Sequence, residues 1–521
     1  MDKKTGLFCK IRHSVLCKLI VIALIAFIPT IITSKIFPTG QVEQGAPLKE
    51  FTDHLDTRIP ALMQDYEIPG LSIALIERGE TVWKSAYGYA DVEGGRKMTV
   101  DTYCRFESIS KSVTAWGVMR LVEQGLVDLD APVEQYITTW KIPESDFSED
   151  KVTIRRLLSG SSGMPLGTIG VHYPPKAEDI PTLKDLLTKD AVLINEPGSS
   201  FYYSNTGFNI LELLIEEVTG RGFAEYMQDE ILTPLGMHSA RFEWSKDFTP
   251  PVANGYGTEG VSIPVYIYPD KAAGGLFGTL EDVATFAAAG MTDFDTARRN
   301  ALTSKSIETM YTPISKMSSY YQFVFEGYGL GHFVEYLPDG TGRTKAVSHG
   351  GQGSGWMTDF HSIPKTGDGI VILSNSQRTW PGFAYILTDW AKWLGYSSIG
   401  MGVIITVQKI AWISIALILF LLIRHVWRLA EGLFLGTRRF APMAVETRMV
   451  RSVQFLLSLL LLGVFLWVSS LEYWFIDSVL PIASSRLNFS ILFASLVLLA
   501  SAVFTKRRDE HKGDYLPNRP R

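Results

Sequence analysis

Three long apolar runs near the C-terminus constrain this chain more than any other feature. Val403–Ile423, Val453–Ser470 and Leu487–Phe504 each hold roughly 18 to 21 residues, about the length a helix needs to cross a bilayer core of about 30 Å. Within such a run every backbone N–H and C=O must find its partner internally, so each is expected as a transmembrane helix. A fourth apolar stretch, Leu19–Ile32, is broken only by Pro29 and Thr30 and follows the basic residues Lys3, Lys4, Lys10, Arg12 and Lys18. It reads as a signal anchor or signal peptide over 19–34. No Ala-x-Ala follows it, which favours the anchor. Arg424, Arg428, Arg438, Arg439, Arg448 and Arg451 fill the stretch 424–452, and Lys506, Arg507, Arg508 and Lys512 lie in the tail 505–521. By the positive-inside rule the basic N-terminus 1–18, the arginine-rich loop 424–452 and the tail are expected in the cytosol, with the large middle region outside. The runs hold no carboxylate or histidine, and Gln408, Lys409, Gln454 and Asn488 lie toward their ends. The helices are therefore expected to anchor the chain in the lipid bilayer or dock a membrane partner, not to line a transport path.

The middle region, 46–395, reads as one globular domain. The formal net charge of the chain is -5, and no basic patch points to nucleic acid. Of three cysteines, Cys9 and Cys17 precede the first apolar stretch, which leaves Cys104 alone in this region. No disulfide within it and no zinc spacing is expected. Phe51, Leu55, Ile59 and Leu62 mark an amphipathic helix. Leu71–Glu77, a turn at Arg78-Gly79 and Thr81–Val92 read as a β-hairpin. Helices follow over Phe208–Thr219, ended by Gly220, over Gly222–Leu232, ended by Pro234-Leu235-Gly236-Met237, and near Leu280–Met291. Ala346–Ser376 returns to strand character. Strands at both ends with helices between predict an α+β domain whose sheet is closed by its own termini.

Inside that domain, Ser108 begins a stretch that reads as a helix apolar on most sides and closed by Gly125. Ser108 and Lys111 share one face of its first turn. A serine hydroxyl at the positive end of a buried helix with an amine one turn along is one way to build a nucleophile and its base. The ordinary alternative is an N-cap serine followed by a solvated lysine. The same spacing recurs at Ser362-Ile363-Pro364-Lys365, where Pro364 argues against a helix.

Two further motifs bear on that choice. Tyr203-Ser204-Asn205 lies where a loop opens a helix and can present both Tyr203 and Asn205 to a site; the alternative is a core tyrosine and a capping asparagine. Ser348-His349-Gly350-Gly351-Gln352 reads as a strand weakened by two glycines, the mark of a bulge or of another backbone or ligand coming close.

Together, Ser-x-x-Lys, Tyr-x-Asn and His-x-Gly in this order resemble the serine β-lactamase and penicillin-binding protein family, most of all its branch of class C β-lactamases, D-peptidases and related esterases. Leu157-Leu158-Ser159-Gly160-Ser161-Ser162-Gly163-Met164-Pro165, Pro234-Leu235-Gly236-Met237 and Ala273-Gly274-Gly275-Leu276 carry the resemblance further. It implies a class C β-lactamase-like α+β fold, an antiparallel sheet flanked by helices plus an all-helical subdomain, in a bacterial multi-pass membrane protein. It also implies an exported serine hydrolase that acts through an acyl-enzyme on a small-molecule or peptide amide or ester. The spans after the domain are similar to the layout of prodrug-maturing D-aminoacyl peptidases such as the colibactin-maturing one.

The resemblance assigns Ser108 as nucleophile, Lys111 or a Tyr203 phenolate as base, Tyr203 as the acid for the leaving group, and Asn205, His349, Gly350, Gly351 and Gln352 as substrate-binding. The Ser108 and Gln352 N–H groups would form the oxyanion hole, with no metal and no cofactor. Two positions depart from the family pattern. Gly160 stands where the signature carries a histidine, for which a structural loss alone is expected. His349 stands where penicillin-binding enzymes carry a lysine that receives a substrate carboxylate. A histidine is charged only in part near neutral pH, which favours substrates lacking that carboxylate. His349 is expected to hydrogen-bond toward Tyr203 or the substrate. The alternative is a sensor or wall-binding module that is acylated without turnover.

Overall fold

The computed structural model describes residues 20–27, 42–291, 293–294, 301–340, 342–442, 448–470 and 475–506. The chain divides into two compact units, 39–405 and a second made of 1–38 with 406–521. Half of the expected N-terminal anchor, 19–34, lies outside the described residues; 20–27 is helical.

The first unit is built on a nine-stranded antiparallel sheet. Its strands are β1 (Gly70–Glu77), β2 (Glu80–Asp91), β3 (Arg96–Lys97), β4 (Ser315–Lys316), β5 (Gly327–Tyr328), β6 (Phe333–Pro338), β7 (Arg343–Gln352), β8 (Met357–Ile363) and β9 (Asp368–Ser374), in the order β3-β2-β1-β9-β8-β7-β6-β5-β4. The hairpin turn falls at Arg78-Gly79, where both residues have positive φ. Early and late strands meet where β1 pairs with β9 from Leu71 opposite Ser374 to Ile76 opposite Gly369. The sheet is thus closed by the two ends of its own domain. Along β9, Gly369–Ser374 is buried throughout, the pattern of a strand covered on both faces.

Helix α1 (Leu48–Tyr66) buries Phe51, Leu55, Ile59 and Leu62, the predicted stripe. Phe51 stacks at 4.3 Å on Trp393 of α5 (Trp380–Trp393). Between β3 and β4 lie α2 (Ile109–Glu123), α3 (Asn205–Thr219) and α4 (Leu280–Ala289). Helix α2 is buried nearly all round. Its small hydroxyls act as anchors for passing backbone: Ser110 Oγ accepts from Leu276 N at 3.1 Å, Ser112 Oγ donates to Gly331 O at 2.6 Å, and Thr114 Oγ1 donates to Ala272 O at 2.9 Å. Helix α3 ends on Gly220 in the left-handed conformation, as its sequence predicts. The next helical stretch does not stop at Pro234. After Phe223–Met227 a wider π-turn over Gln228–Leu232 is followed by a last helical turn, Thr233–Leu235. That last turn has the proline among its first residues, where a missing N–H is tolerated.

Among the described residues, the second unit contains three helices long and apolar enough to cross a membrane. They are α6 (Val403–Phe434), whose start lies at the division between units, α7 (Arg448–Ser469) and α8 (Ala483–Val503). Ser458 Oγ and Ser495 Oγ donate to one another's backbone carbonyls at 2.9 and 2.8 Å, which joins α7 to α8. One boundary differs from the sequence reading. Helix α6 runs past Ile423 through Arg424, His425 and Arg428 to Phe434, so the loop before α7 is shorter than 424–452. A helix can carry long cationic side chains beyond its apolar segment without losing a backbone hydrogen bond, so the first arginine does not end it. His425 is therefore part of the helix, with Nε2 2.5 Å from Ser501 Oγ.

Candidate active site

The site is assembled where the first turn of α2 meets the end of β7. Ser108 immediately precedes α2 but makes no side-chain cap to it. Its Oγ instead lies 3.1 Å from Lys111 Nζ, and a side-chain hydrogen bond joins it to Tyr203. This excludes the reading of Ser108 as an ordinary capping serine. Lys111 is fully buried, with Ala273 O as its second partner at 2.8 Å. Burial lowers its pKa from 10.5 to about 7, against the pull of Asp270 and Glu107. Taking an amine out of water disfavours its charged form, so a large share of this lysine is neutral near pH 7.

Tyr203 lies just ahead of α3. Ser204, not Asn205, caps that helix: its Oγ accepts from Gly207 N at 2.8 Å and donates to Pro165 O at 2.6 Å. Asn205 is thereby freed from capping and is the first residue of α3, half-buried. Tyr203 is packed between aromatic rings, with Tyr321 at 5.7 Å and Phe333 at 6.2 Å. Its pKa is raised by burial, against the effect of the Ser108 hydrogen bond. Tyr203 is therefore a neutral phenol, and the open choice between a lysine and a phenolate base narrows toward Lys111.

His349 corrects one expectation, that of its charge. It is fully buried, and burial, followed by repulsion from Lys111, lowers its pKa well below 6.5. It is a neutral imidazole, not a partly charged one. Its Nε2 faces Tyr328 Oη at 3.3 Å and its Nδ1 faces Gly350 O at 2.7 Å; these are its polar partners within the protein. Tyr203 is a ring neighbour only, 6.1 Å away between centroids.

The two glycines differ in purpose. A Cβ on Gly351 would collide with Phe106 O and Thr358 Oγ1, so only glycine lets β7 come this close to the turn before Ser108. Gly350 faces the other way, toward Asp359 and Trp380. Gln352 also turns its side chain away, its Oε1 accepting from Trp380 Nε1 at 3.0 Å. Only the backbone of Gln352 is left for the site.

Sequence reasoning missed the group that shapes this turn. Glu107, just before Ser108, has φ +50, a strained value for a residue with a side chain. Its carboxylate is buried and takes Arg105 Nε at 2.7 Å, Tyr266 Oη at 3.0 Å and Tyr268 Oη at 3.1 Å. Arg105 donates in turn to the carbonyls of Tyr266 and Gly274. A Cβ at Gly353 would run into the Glu107 carboxylate. This satisfied buried network pays for the strain at Glu107 and so orients Ser108. Its two halves, Arg105 with Glu107 and Tyr266 with Tyr268, lie about 160 residues apart in the chain, too far for any local spacing to link them.

Comparison with known proteins agrees with this architecture. The Beta-lactamase family model matches residues 55–389. Protein flp of Staphylococcus aureus (strain MW2) is 29% identical over 223 residues, which are 42% of this chain and 43% of that protein. The chain thus spans less than half the length of that curated relative. Among solved structures, the octameric penicillin-binding protein homologue from Pyrococcus abyssi is similar with a TM-score of 0.56 at 29% identity, over 66% of this chain and 77% of that one. A class C beta lactamase matches with a TM-score of 0.52 at 20% identity, over 63% of this chain and 93% of that one, a likeness of fold alone.

Proposed function

We propose, from the premise that this chain belongs to the Beta-lactamase family, that it is a serine hydrolase acting on an amide or ester through an acyl-enzyme at Ser108. The observation that carries this reading is the fully buried Lys111 amine, 3.1 Å from Ser108 Oγ, with its pKa lowered to about 7. Neutral Lys111 accepts the hydroxyl proton as Ser108 attacks the carbonyl. The Ser108 N–H and the Gln352 N–H, brought near by Gly351, receive the developing oxyanion. The Tyr203 phenol gives its proton to the leaving atom and regains one from the Lys111 ammonium, so that both groups return to their neutral forms, and Asn205 binds the substrate amide. Water then hydrolyses the ester on Ser108.

The leaving group departs toward Tyr203, and the side chains packed there include Tyr321, Phe333, neutral His349 and Lys111, whose amine lies 5.0 Å over the Tyr203 ring. Apart from Lys111, whose amine is engaged by Ser108 Oγ and Ala273 O, none of these supplies a positive charge for a carboxylate. This lining favours amides or esters whose leaving group is uncharged, D-aminoacyl compounds among them. The charge pattern around α6, α7 and α8 supports an exported, membrane-anchored enzyme with the hydrolase unit outside the cytosol.

The test is intact-mass analysis of the full chain in detergent. A fluorophosphonate is expected to add to wild type and not to Ser108→Ala. Labelling that survives the substitution overturns the assignment of Ser108. A panel of D-aminoacyl amides, esters and penicillins then measures turnover. A stoichiometric acyl burst with no steady state replaces the hydrolase by an acylated sensor.

A further inference from the structure

Glu212 lies within the buried face of α3 and is 1% exposed. Placing a carboxylate there is unfavourable by several kcal/mol unless its partners compensate. Those partners are two consecutive backbone amides: Glu212 Oε2 accepts from Lys271 N at 2.6 Å and from Ala272 N at 2.8 Å. Burial raises the carboxyl's pKa to about 8, with the Lys271 charge and the two amides acting against it.

The segment that Glu212 holds leads directly to the site. Ala272 O accepts from Thr114 Oγ1 at 2.9 Å, and Gly275 N donates to Lys271 O at 2.7 Å. The next carbonyl, Ala273 O, accepts from Lys111 Nζ at 2.8 Å. A run of two amides on one carboxylate oxygen fixes the peptide planes that follow, and with them the direction of the Ala273 carbonyl. Lys111 has four freely rotating side-chain bonds. Among the described residues, that carbonyl and Ser108 Oγ are the hydrogen-bond partners that place its Nζ.

Resting on the hydrolase reading above, we propose that Glu212 is a positioning residue for Lys111. Through the Lys271 and Ala272 amides it aims the Ala273 carbonyl, and through that carbonyl it holds Nζ in reach of the Ser108 hydroxyl. Removing the acceptor leaves two buried amides without partners and lets the segment relax. A displacement of the base by about 1 Å is enough to slow chemistry on the order of 100-fold.

The experiment measures Ser108 acylation by a fluorophosphonate, with mass detection, in the full chain carrying Glu212→Ala, Glu212→Gln or Glu212→Asp. For Glu212→Ala the maximal rate of labelling is expected to fall on the order of 100-fold, while the concentration for half-maximal rate and the final labelled fraction stay those of wild type. Glu212→Gln keeps an oxygen for the two amides and is expected to restore most of the rate. If Glu212→Ala does not fold, Glu212→Asp takes its place, because it withdraws the acceptor by one methylene and should also be slow. A wild-type rate in whichever of these two folds overturns the proposal. So does a Gln variant as slow as Ala, which would assign the effect to charge. A smaller labelled fraction at an unchanged rate overturns it too, since that is what a purely structural residue shows. Failure of the wild type to label at Ser108 would instead remove the hydrolase reading itself.

Discussion

The two faces of β7 and β8 each have a buried basic group, and the two groups have opposite fates. Pairing sets His349 opposite Phe360 on the site face, and Ser348 with His361 and Gly350 with Asp359 on the other. On the site side, Lys111 is held by one hydroxyl and one carbonyl, and its pKa falls to about 7. On the far side, His361 has Nδ1 2.6 Å from Asp359 Oδ1 and Nε2 3.1 Å from Glu335 Oε1, and its pKa rises to about 10 despite the burial, because Asp359 and then Glu335 oppose it. Glu335 Oε2 also accepts from Gly400 N at 2.8 Å, so this imidazolium ties the sheet to the segment just before α6. Burial alone therefore does not decide whether a basic group is charged. Direct carboxylate partners keep His361 charged at neutral pH, while among the described residues no carboxylate hydrogen-bonds Lys111, which leaves it a usable base.

The strongest way to break this contrast is to delete the reactive amine. Lys111→Met keeps the shape and removes the proton acceptor, so acylation should fall by about 10²–10⁴-fold. The same change should raise stability. A lysine lowered from 10.5 to about 7 is destabilising wherever the unfolded chain would be protonated, that is, below about 10.5. The penalty is largest below pH 7, at roughly 5 kcal/mol as an upper bound. A higher melting temperature at pH 7 together with lost labelling is the expected pair. A lower melting temperature would mean that Lys111 is a structural cation like His361.

The converse change is Asp359→Asn, which leaves the imidazolium with one carboxylate. Breaking a buried pair in this way costs about 3–5 kcal/mol, which chemical unfolding would read directly. The pH at which acylation is half-maximal should not move. Should it move, the two faces are electrically coupled and the contrast drawn above is wrong.

A pH series sharpens the comparison without mutation. Acylation should rise with pH through about 7, as Lys111 loses its proton. Stability carries both groups: the Lys111 penalty is relieved as pH rises from about 7 toward 10.5, so the His361 contribution is read in the Lys111→Met background, where that opposing change is gone. The folded pKa of His361, about 10, lies above the ordinary 6.5, so its contribution is complete below 6.5 and is lost as pH rises through about 10. An activity profile without an acid limb near 7 would remove Lys111 from the base role.

Legibility in the sequence follows the same division. Ser108 and Lys111 could be paired because a helix turn puts residues three apart on one face, and the α1 stripe and first hairpin followed from their periods. The sheet's closure followed from strand character at both ends. What escaped depends on burial and on contacts between distant segments. Glu212 reads as one of several acids on an amphipathic helix, and only the fold shows it turned inward onto Lys271 and Ala272. Nothing in Ser348-His349-Gly350 tells that this imidazole is enclosed and neutral, or that Gln352 points at Trp380. Residues such as Arg105, Tyr266 and Tyr268 carry no spacing that a reader of the chain could use.

The smallest expected effect concerns Gly160, which stands where the family signature carries histidine. Its φ is +64, and a Cβ there would lie 2.8 Å from Phe201 Cε2. Phe201 in turn packs at 5.3 Å on Tyr328, whose hydroxyl faces His349. Gly160→His thus meets a left-handed backbone, worth about 1–2 kcal/mol against any side chain, and an aromatic ring that would have to shift. If the ring moves toward Tyr328, the disturbance reaches the neutral wall of the site and not the Ser108–Lys111 pair. The expected outcome is a modest loss of thermal stability with an unchanged fluorophosphonate labelling rate and a changed preference among leaving groups. An unchanged preference would confine Gly160 to backbone geometry. A slower labelling rate would show that the two halves of the site are joined through Phe201.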